Sequence, residues 1–356
     1  MTPDTSPSVA QELGARGAAA TWPEDAMPLP VDPRTAPVFI AGPDRSGTTL
    51  MFALLASHPN LSMVRRTNMW RYFHRRYGDL GDPENFERCL RDMVRYRRMR
   101  HLQPDADRIR TEFLQGEPTY ARLFSLFHEH NAERAGKSRW GDKSLHTERY
   151  AERVFSEFPE ARIVHMVRDP RDRYASVRKR WGRDVSRVGA ATGRWMSSTR
   201  AGRRAQRRHP DRYLLVRYED LASDPEATMR RVCEFIGEEY SAQMLTMGGV
   251  PEQKDRAGNS SFGDVEPGSI STRAIGRFRQ VLSPSELAFI QLVAARELST
   301  MKYERAEIRL SPKEKLRFYA LDLPVQLIRM IGWMSLAWLR RRRGVRVPAS
   351  KVVDGS

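Results

Sequence analysis

Cysteine is scarce in this sequence. Two cysteines, Cys89 and Cys233, occur among 356 residues, and neither belongs to a CxxC pair. Disulfide scaffolds and cysteine-ligated zinc sites need more cysteines at closer spacings, so neither class is expected. The sequence therefore predicts a protein of a reducing compartment, the cytoplasm.

A secretory signal is also missing. Residues 1–36 show no basic segment followed by an apolar run, the pattern that such a signal requires. They are rich in alanine, proline and threonine without periodicity. We expect a disordered or loosely attached arm over 1–36.

Long uncharged apolar runs are lacking too. The C-terminal stretch 321–339 is interrupted by Asp322, Pro324 and Arg329, whereas a helix that spans a bilayer needs about 20 mostly apolar residues. Four arginines follow it at 340–343. Two interpretations of this extension, 306–356, stay open. Residues 321–343 form a helix on an anionic membrane surface, peripheral at the inner face, or a final helix packed on the domain or in a dimer contact.

Acidic residues are outnumbered by basic ones. The chain has 44 Asp and Glu against 61 Lys and Arg, a formal net charge of +17. This balance suggests an anionic partner, which could be a polyphosphorylated cofactor, a nucleic acid or an acidic membrane surface. No recognised binding fold accompanies the arginines and aromatics of 63–81, so no specific nucleic acid is expected.

The rest of the sequence is arranged around residues 38–55, VFIAGPDRSGTTLMFALL. The apolar run 38–41 predicts a buried strand, Gly42-Pro43 a tight loop, and the apolar spacing after Thr48 a helix. Such a loop presents backbone N–H groups to an anion at the helix N-terminus. Gly42 and Gly47 match the pattern G-x-x-x-x-G-K-[ST], but Thr48 replaces its lysine. We therefore expect a phosphate-like group other than the γ-phosphate of ATP.

Two further apolar runs, 162–167 and 213–218, each lead into a helix-like segment. Three strands of this kind, with anion motifs at their C-terminal ends, imply a parallel sheet with helices on both faces. The predicted fold class is α/β, a P-loop-like three-layer domain over 37–305.

The loop GPDRSGTTL resembles the 5′-phosphosulfate loop of sulfotransferases that use 3′-phosphoadenosine 5′-phosphosulfate (PAPS). Four more segments continue the resemblance in the family's order across roughly 38–300: WGDKSLH at 140–146, RDPRDRYAS at 168–176, YEDL at 218–221 and GRFR at 276–279. The resemblance implies transfer of a sulfuryl group from PAPS to a hydroxyl or amine of a carbohydrate, lipid or small-molecule acceptor.

The resemblance also implies which residues bind PAPS and its product PAP. The loop would hold the 5′-phosphosulfate, Arg168 and Ser176 the 3′-phosphate, and Tyr218 would lie near the adenine. The predicted cofactor-binding residues are Arg45, Ser46, Gly47, Thr48, Thr49, Arg168, Ser176, Tyr218 and Arg277.

The catalytic candidates are Lys143, Arg45, Asp142 and His146. Lys143 and Arg45 would stabilise developing negative charge, and Asp142 or His146 would accept the acceptor's proton. Many members carry a glutamate base soon after the first helix, where this chain has Arg66, Thr67 and Asn68. The identity of the base therefore stays open. No metal is expected, because the scheme includes neither a triphosphate nor a Walker B-like carboxylate set.

Two rival functions remain. A P-loop kinase or NTPase would require ATP and a divalent metal, and Thr48 in place of lysine argues against it. A basic, non-enzymatic module would bind polyanions in a strongly salt-dependent way without preferring any nucleotide.

Overall fold

A five-stranded sheet organises the computed structural model, which describes residues 36–182, 187–250 and 269–343. Its strands lie in the order β2-β3-β1-β4-β5, and each adjacent pair is parallel. They are β1 (Val38–Ala41), β2 (Leu61–Arg65), β3 (Arg139–Lys143), β4 (Arg162–Val167) and β5 (Tyr213–Arg217). The predicted α/β fold with a central parallel sheet is confirmed. The predicted arm 1–36 lies outside the described residues except for Ala36.

Helices connect the strands and extend the domain. They are α1 (Thr48–Ala56), α2 (Met69–Tyr72), α3 (Pro83–Arg95), α4 (Ala106–Leu114), α5 (Tyr120–Arg134), α6 (Ala151–Glu157), α7 (Pro170–Trp181), α8 (Val188–Arg208), α9 (Tyr218–Ser223), α10 (Pro225–Ile236), α11 (Phe278–Val281), α12 (Pro284–Val293), α13 (Ala295–Thr300), α14 (Pro312–Arg317) and α15 (Leu323–Arg343). Short 3₁₀ turns occur at Arg100–Leu102, Thr147–Arg149, Ala242–Thr246 and Thr272–Ala274, and a π-helical turn at Phe318–Asp322.

Both faces of the sheet are buried. Side chains alternate along a strand, so Phe39 of β1 joins one apolar cluster and Ile40 joins another. Cys89 lies in the first cluster and Cys233 in the second, and both are buried free thiols. A sheet covered on both faces presents its carboxyl edge for ligands.

Two strands were not predicted from the sequence, and one was predicted too long. Strand β2 ends in Arg65, and β3 contains Arg139, Asp142 and Lys143, so neither reads as an apolar run. Strand β5 ends at Arg217, and Tyr218 begins α9 instead of ending the strand.

The C-terminal extension contains α14 and α15, and α15 packs along α8. The close contact occurs at two glycines of α8: a Cβ on Gly189 would lie 2.1 Å from the carbonyl oxygen of Gln326, and one on Gly193 would lie 2.8 Å from Met330. The helix begins at Leu323, two residues later than predicted. Packing on the domain therefore accounts for one face of α15.

Within the described ranges, no helix combines the length and apolarity needed to cross a membrane.

Candidate active site

Three residues of the loop between β1 and α1 have left-handed backbone conformations. Gly42, Arg45 and Gly47 have φ values of 125°, 64° and 88°. A Cβ on Gly47 would lie 2.6 Å from the ring of Tyr218, so this position requires glycine for space as well as for backbone conformation. Arg45 adopts its conformation at a cost of about 1–2 kcal/mol, which its contacts on neighbouring elements must offset.

The N-terminus of α1 is prepared for an anion. It has no acidic residue in its first turn, and Gly47 at the N-cap provides no side-chain hydrogen bond. Ser46 is fully buried in the loop, and its Oγ has no hydrogen-bond partner among the described residues. Buried polar atoms are normally satisfied, so the loop fits a phosphate or phosphosulfate group.

Four of the predicted cofactor-binding residues meet beside this loop. The Nε of Arg45 donates to the Oγ of Ser176 on α7 at 2.9 Å. Arg168, at the end of β4, donates to the carbonyl of Arg45 at 3.2 Å and lies over the Tyr218 ring at 4.5 Å. The structure thus brings residues from the loop, β4, α7 and α9 into one cluster.

Positive charge is concentrated in this cluster. Burial, with the nearby charges of Arg168 and Arg180, lowers the pKa of Arg45 to about 10. The Nε of the buried Arg168 has no hydrogen-bond partner within the described part of the chain. A bound phosphate would relieve the repulsion between the guanidinium groups and satisfy this donor.

Arg277 is placed differently from the other predicted cofactor-binding residues. Its Nε donates to the carbonyl of Arg273 at 2.7 Å and its Nη1 to Gln280 at 2.8 Å, both in its own turn. The same segment nevertheless touches the cluster, because Arg168 donates to the carbonyl of Ala274 at 2.6 Å. The role of Arg277 in binding stays a prediction.

Asp44 fixes the loop to α7 and α8, a role the sequence did not predict. Its carboxylate accepts from Arg173 at 2.9 Å and from Arg194 at 3.5 Å. Burial opposes ionisation of Asp44, but the two arginines more than offset it and lower its pKa. These ion pairs hold the backbone next to Arg45 in its left-handed conformation.

Lys143 reaches the same loop from the end of β3. Its Nζ donates to the Oγ1 of Thr49 at 3.1 Å and lies 6.0 Å from the centre of the Phe52 ring. A neighbouring strand thus supplies an ammonium group at the start of α1, whose own sequence has Thr48 where an NTP-binding loop has lysine.

Asp142 is deeply buried. Its carboxylate accepts from Ser144 Oγ at 2.7 Å, and that oxygen in turn accepts from the backbone N–H of Asn68 at 3.0 Å. Its side chain therefore anchors the segment after β2. Burial raises the pKa of Asp142 to about 6.

The pKa of Asp142 predicts a pH dependence of folding. The folded protein binds the proton more tightly than the unfolded chain, whose carboxyl has the ordinary pKa of 3.8. The stabilisation is complete below pH 3.8 and is lost as the pH rises through about 6. It amounts to on the order of 3 kcal/mol, since one pKa unit corresponds to about 1.4 kcal/mol.

Asp142→Asn should therefore remove this slope, so that the difference in free energy of unfolding between the wild type and the variant changes with pH. Urea unfolding of both proteins from pH 4 to pH 7 measures it, and other titrating groups cancel in the comparison. Parallel stability curves would contradict the assignment.

His146 lies beside the start of the loop, in a left-handed conformation with φ of 68°. Its backbone N–H donates to the carbonyl of Gly42 at 3.4 Å. Its Nδ1 lies 3.4 Å from the Oε1 of the buried Glu148, whose Oε2 accepts from the N–H of Gly42 at 3.1 Å. Burial alone would raise the pKa of Glu148, but the contact with His146 more than offsets it, so the pKa lies well below its usual value.

A buried chain of hydrogen bonds fixes Glu148. Ser198 donates to its Oε1 at 2.8 Å and lies 3.2 Å from His165 Nε2, while the hydroxyl of Tyr213 lies 2.7 Å from His165 Nδ1. Burial lowers the pKa of His165 to about 4, so this ring is neutral at pH 7. In the sequence, only the position of Glu148, two residues after His146, hints at these hydrogen bonds.

An ionised Glu148 accepts hydrogen bonds and cannot donate them. The His146 proton must therefore reside on Nδ1, which leaves Nε2 as the basic nitrogen. With a 21% exposed side chain, His146 is more accessible than the fully buried Asp142.

No cluster of histidine, cysteine, aspartate and glutamate side chains with metal-binding geometry occurs within 36–182, 187–250 and 269–343.

Comparisons with known proteins identify a family. The family described as the sulfotransferase family matches residues 37–242, more than half of the chain. Carbohydrate sulfotransferase 2 of Homo sapiens is 31% identical over 102 residues, which are 29% of this chain and 18% of that protein. Carbohydrate sulfotransferase 5 of Mus musculus is 36% identical over 106 residues, 24% of this chain and 27% of that protein.

A solved structure shares the fold. The sulfotransferase domain from the curacin biosynthetic pathway aligns with a TM-score of 0.50 at 19% identity, covering 76% of this chain and 99% of that chain. The aligned segments span less than a third of the two carbohydrate sulfotransferases. The match over 37–242 shows that the chain belongs to the sulfotransferase family.

Proposed function

We propose that this protein transfers a sulfuryl group from PAPS to a hydroxyl, or an amine, of a carbohydrate, lipid or small-molecule acceptor. The main support is the contact of Arg168 and Ser176 with Arg45 of the anion loop. A set of cations beside the loop suits a nucleotide that carries a second phosphate, at its 3′ position, in addition to its 5′ group. When bound, PAPS supplies the sulfuryl group and leaves as adenosine 3′,5′-bisphosphate.

The loop residues would bind the donor. The N–H groups at the start of α1, with Ser46 and the hydroxyls of Thr48 and Thr49, would hold the 5′ group. Arg168 and Ser176 would bind the 3′-phosphate, and Tyr218 would stack near the base. The assignments of Arg168, Ser176 and Tyr218 are supported by their contacts with the loop and with one another.

Lys143 and Arg45 would stabilise charge during transfer. Negative charge grows on the leaving phosphate oxygen in a loose transition state of this type. The Lys143 ammonium, 3.1 Å from Thr49 Oγ1, approaches the loop from β3. Arg45 belongs to the loop itself, so both cations would lie near the bound 5′ group.

We assign the proton acceptor to His146 Nε2. The Glu148 carboxylate holds Nδ1–H and thereby orients the imidazole and fixes its tautomer. Asp142, the other candidate, is buried and its carboxylate accepts from Ser144. Because the backbone N–H of Asn68 donates to the same serine, we infer that Asp142 positions the strand end.

The nucleotide preference tests the proposal directly. Adenosine 3′,5′-bisphosphate should raise the melting temperature of the protein more than AMP, ADP or ATP with Mg²⁺, since the stabilisation by a ligand of the native state grows with the logarithm of its concentration over Kd. Arg168→Ala and Ser176→Ala should each weaken bisphosphate binding, by about tenfold or more for the arginine, which loses charge-assisted contacts.

Arg309→Ala is the matched control in this experiment, because Arg309 is exposed, pairs with Glu307 at the surface and does not belong to the predicted site. We expect a change of less than about threefold, as for exposed charges in general. Preference for ATP with Mg²⁺ would instead support the NTPase alternative. Equal binding of all four nucleotides, abolished by salt, would support the polyanion module.

A further inference from the structure

The orientation of α15 on the domain is fixed by its contacts with α8. The side chain of Gln326 accepts from the backbone N–H of Gly189 at 3.3 Å, and Met330 approaches Gly193. Leu323 and Leu327 pack against an apolar cluster that contains Val188 and Ala191, both buried on α8, so this face of α15 is the inner one.

The opposite face of α15 is apolar and exposed. Ile328 is 70% exposed, although isoleucine is among the most frequently buried residue types. Exposed large apolar residues recur every three or four positions from 321 to 331, and three more continue on the same face up to 339. We call this face the outer stripe. It consists of Leu321, Val325, Ile328, Ile331, Leu336, Trp338 and Leu339. Contiguous exposed apolar surface of this kind marks an interaction site.

The sequence around the outer stripe is rich in cations and has almost no acids. From 315 to 343 the sequence has seven basic residues, Lys315, Arg317, Arg329 and Arg340–Arg343, and one acid, Asp322. That acid already accepts from Ser285 at 2.7 Å. The surroundings therefore suit an anionic partner with an apolar interior.

We propose that α15 lies in the surface of a bilayer that contains anionic lipids, with the outer stripe inserted and the basic residues on the headgroups. This combination of an apolar face, cations and an exposed tryptophan is typical of interfacial helices. A second copy of the chain fits the face less well, because two such surfaces would bring cations together without acids to pair them.

The membrane contact would bring the candidate active site to the lipid surface. Trp333 of α15 lies 5.7 Å from the guanidinium of Arg149 and 5.4 Å from that of Arg194. Arg194 in turn contacts Asp44 of the anion loop at 3.5 Å. If the proposed sulfuryl transfer holds, the preferred acceptors carry their hydroxyl on a membrane-embedded molecule.

Binding of the full chain to vesicles tests the proposal. The protein should sediment with phosphatidylglycerol–phosphatidylcholine vesicles and much less with pure phosphatidylcholine, and added salt should weaken but not abolish binding. Ile328→Asp should reduce the partition coefficient by about tenfold or more, since it places a charge in the apolar face.

The matched control is Leu292→Asp, which changes a 51% exposed leucine on α12 away from the outer stripe and should leave vesicle binding unchanged. Stabilisation by adenosine 3′,5′-bisphosphate, measured on every variant, reports folding and the nucleotide site separately from lipid binding.

Three results would overturn the membrane proposal. The wild-type protein does not bind anionic vesicles, or vesicle binding falls equally in both variants. The third result is a wild-type dimer in light scattering that Ile328→Asp converts to a monomer, without any vesicle binding by the wild type. The last result would identify a second copy as the partner. None of them depends on whether the chain transfers sulfuryl groups.

Discussion

Lys143→Met should reduce kcat by about 10²–10³-fold, the usual loss when one preorganised stabiliser of transition-state charge is removed. Its Nζ contacts Thr49 at the start of α1 and lies over Phe52. Methionine keeps the apolar length of the side chain and removes the ammonium. Because the charge that Lys143 offsets develops only during transfer and is absent from PAPS itself, the KM for PAPS should change by less than about tenfold.

Arg65→Met provides the matched control for this prediction. Arg65 pairs with Lys143 in the β2–β3 register, and its guanidinium lies 5.8 Å from the same Phe52 ring. Both variants lose one positive charge from one edge of the sheet. Steady-state kinetics with PAPS should show a large loss of kcat for Lys143→Met and a small one for Arg65→Met. Equal losses would mean that the general positive field, and not a placed ammonium, drives the reaction.

The loop and its nucleotide cluster could be predicted because their signals are local. The apolar runs and glycine positions of residues 38–55 predict a strand, a turn and a helix, and the structure has β1 and α1 there. The match of Arg168 and Ser176 to a family segment located them in the sequence, and the structure adds their contact with Arg45.

Strands β2 and β3 could not be predicted as apolar runs, because a serine and an arginine interrupt β2 and most residues of β3 are polar or glycine. Buried parallel strands usually read as continuous apolar runs. In β3, however, the buried Arg139 donates to the carbonyls of Ala36 and Ile236, and the buried Asp142 accepts from Ser144. The partners of Arg139 lie 103 and 97 residues away in the chain, so no local pattern predicts the burial of this arginine.

Glu148 was missed for a similar reason. In the sequence it is one acid near the start of a helical stretch, where acidic residues are common. Its partners, Gly42 and Ser198, lie 106 and 50 residues away. Only the assembled sheet brings the loop amide, the α8 hydroxyl and His146 to one carboxylate.

The second large effect is expected for His146→Gly. The left-handed φ of 68° at this position suits glycine, so the variant should fold with little backbone strain. Loss of the proton acceptor should reduce kcat by about 10²–10⁴-fold, the range for removal of a general base. Exogenous imidazole should restore part of the rate, because the missing ring leaves space beside Glu148.

Asp142→Asn separates the two base candidates. Its amide mimics the protonated acid, so this variant should keep kcat within about tenfold of the wild type if Asp142 only positions the strand end. Bisphosphate stabilisation, measured in parallel, shows that both variants keep the nucleotide site. A large loss of kcat in Asp142→Asn, together with a near-normal kcat in His146→Gly, would identify Asp142 as the base. His146 is favoured because Glu148 both orients its ring and anchors Gly42, so one carboxylate fixes the proton acceptor relative to the anion loop.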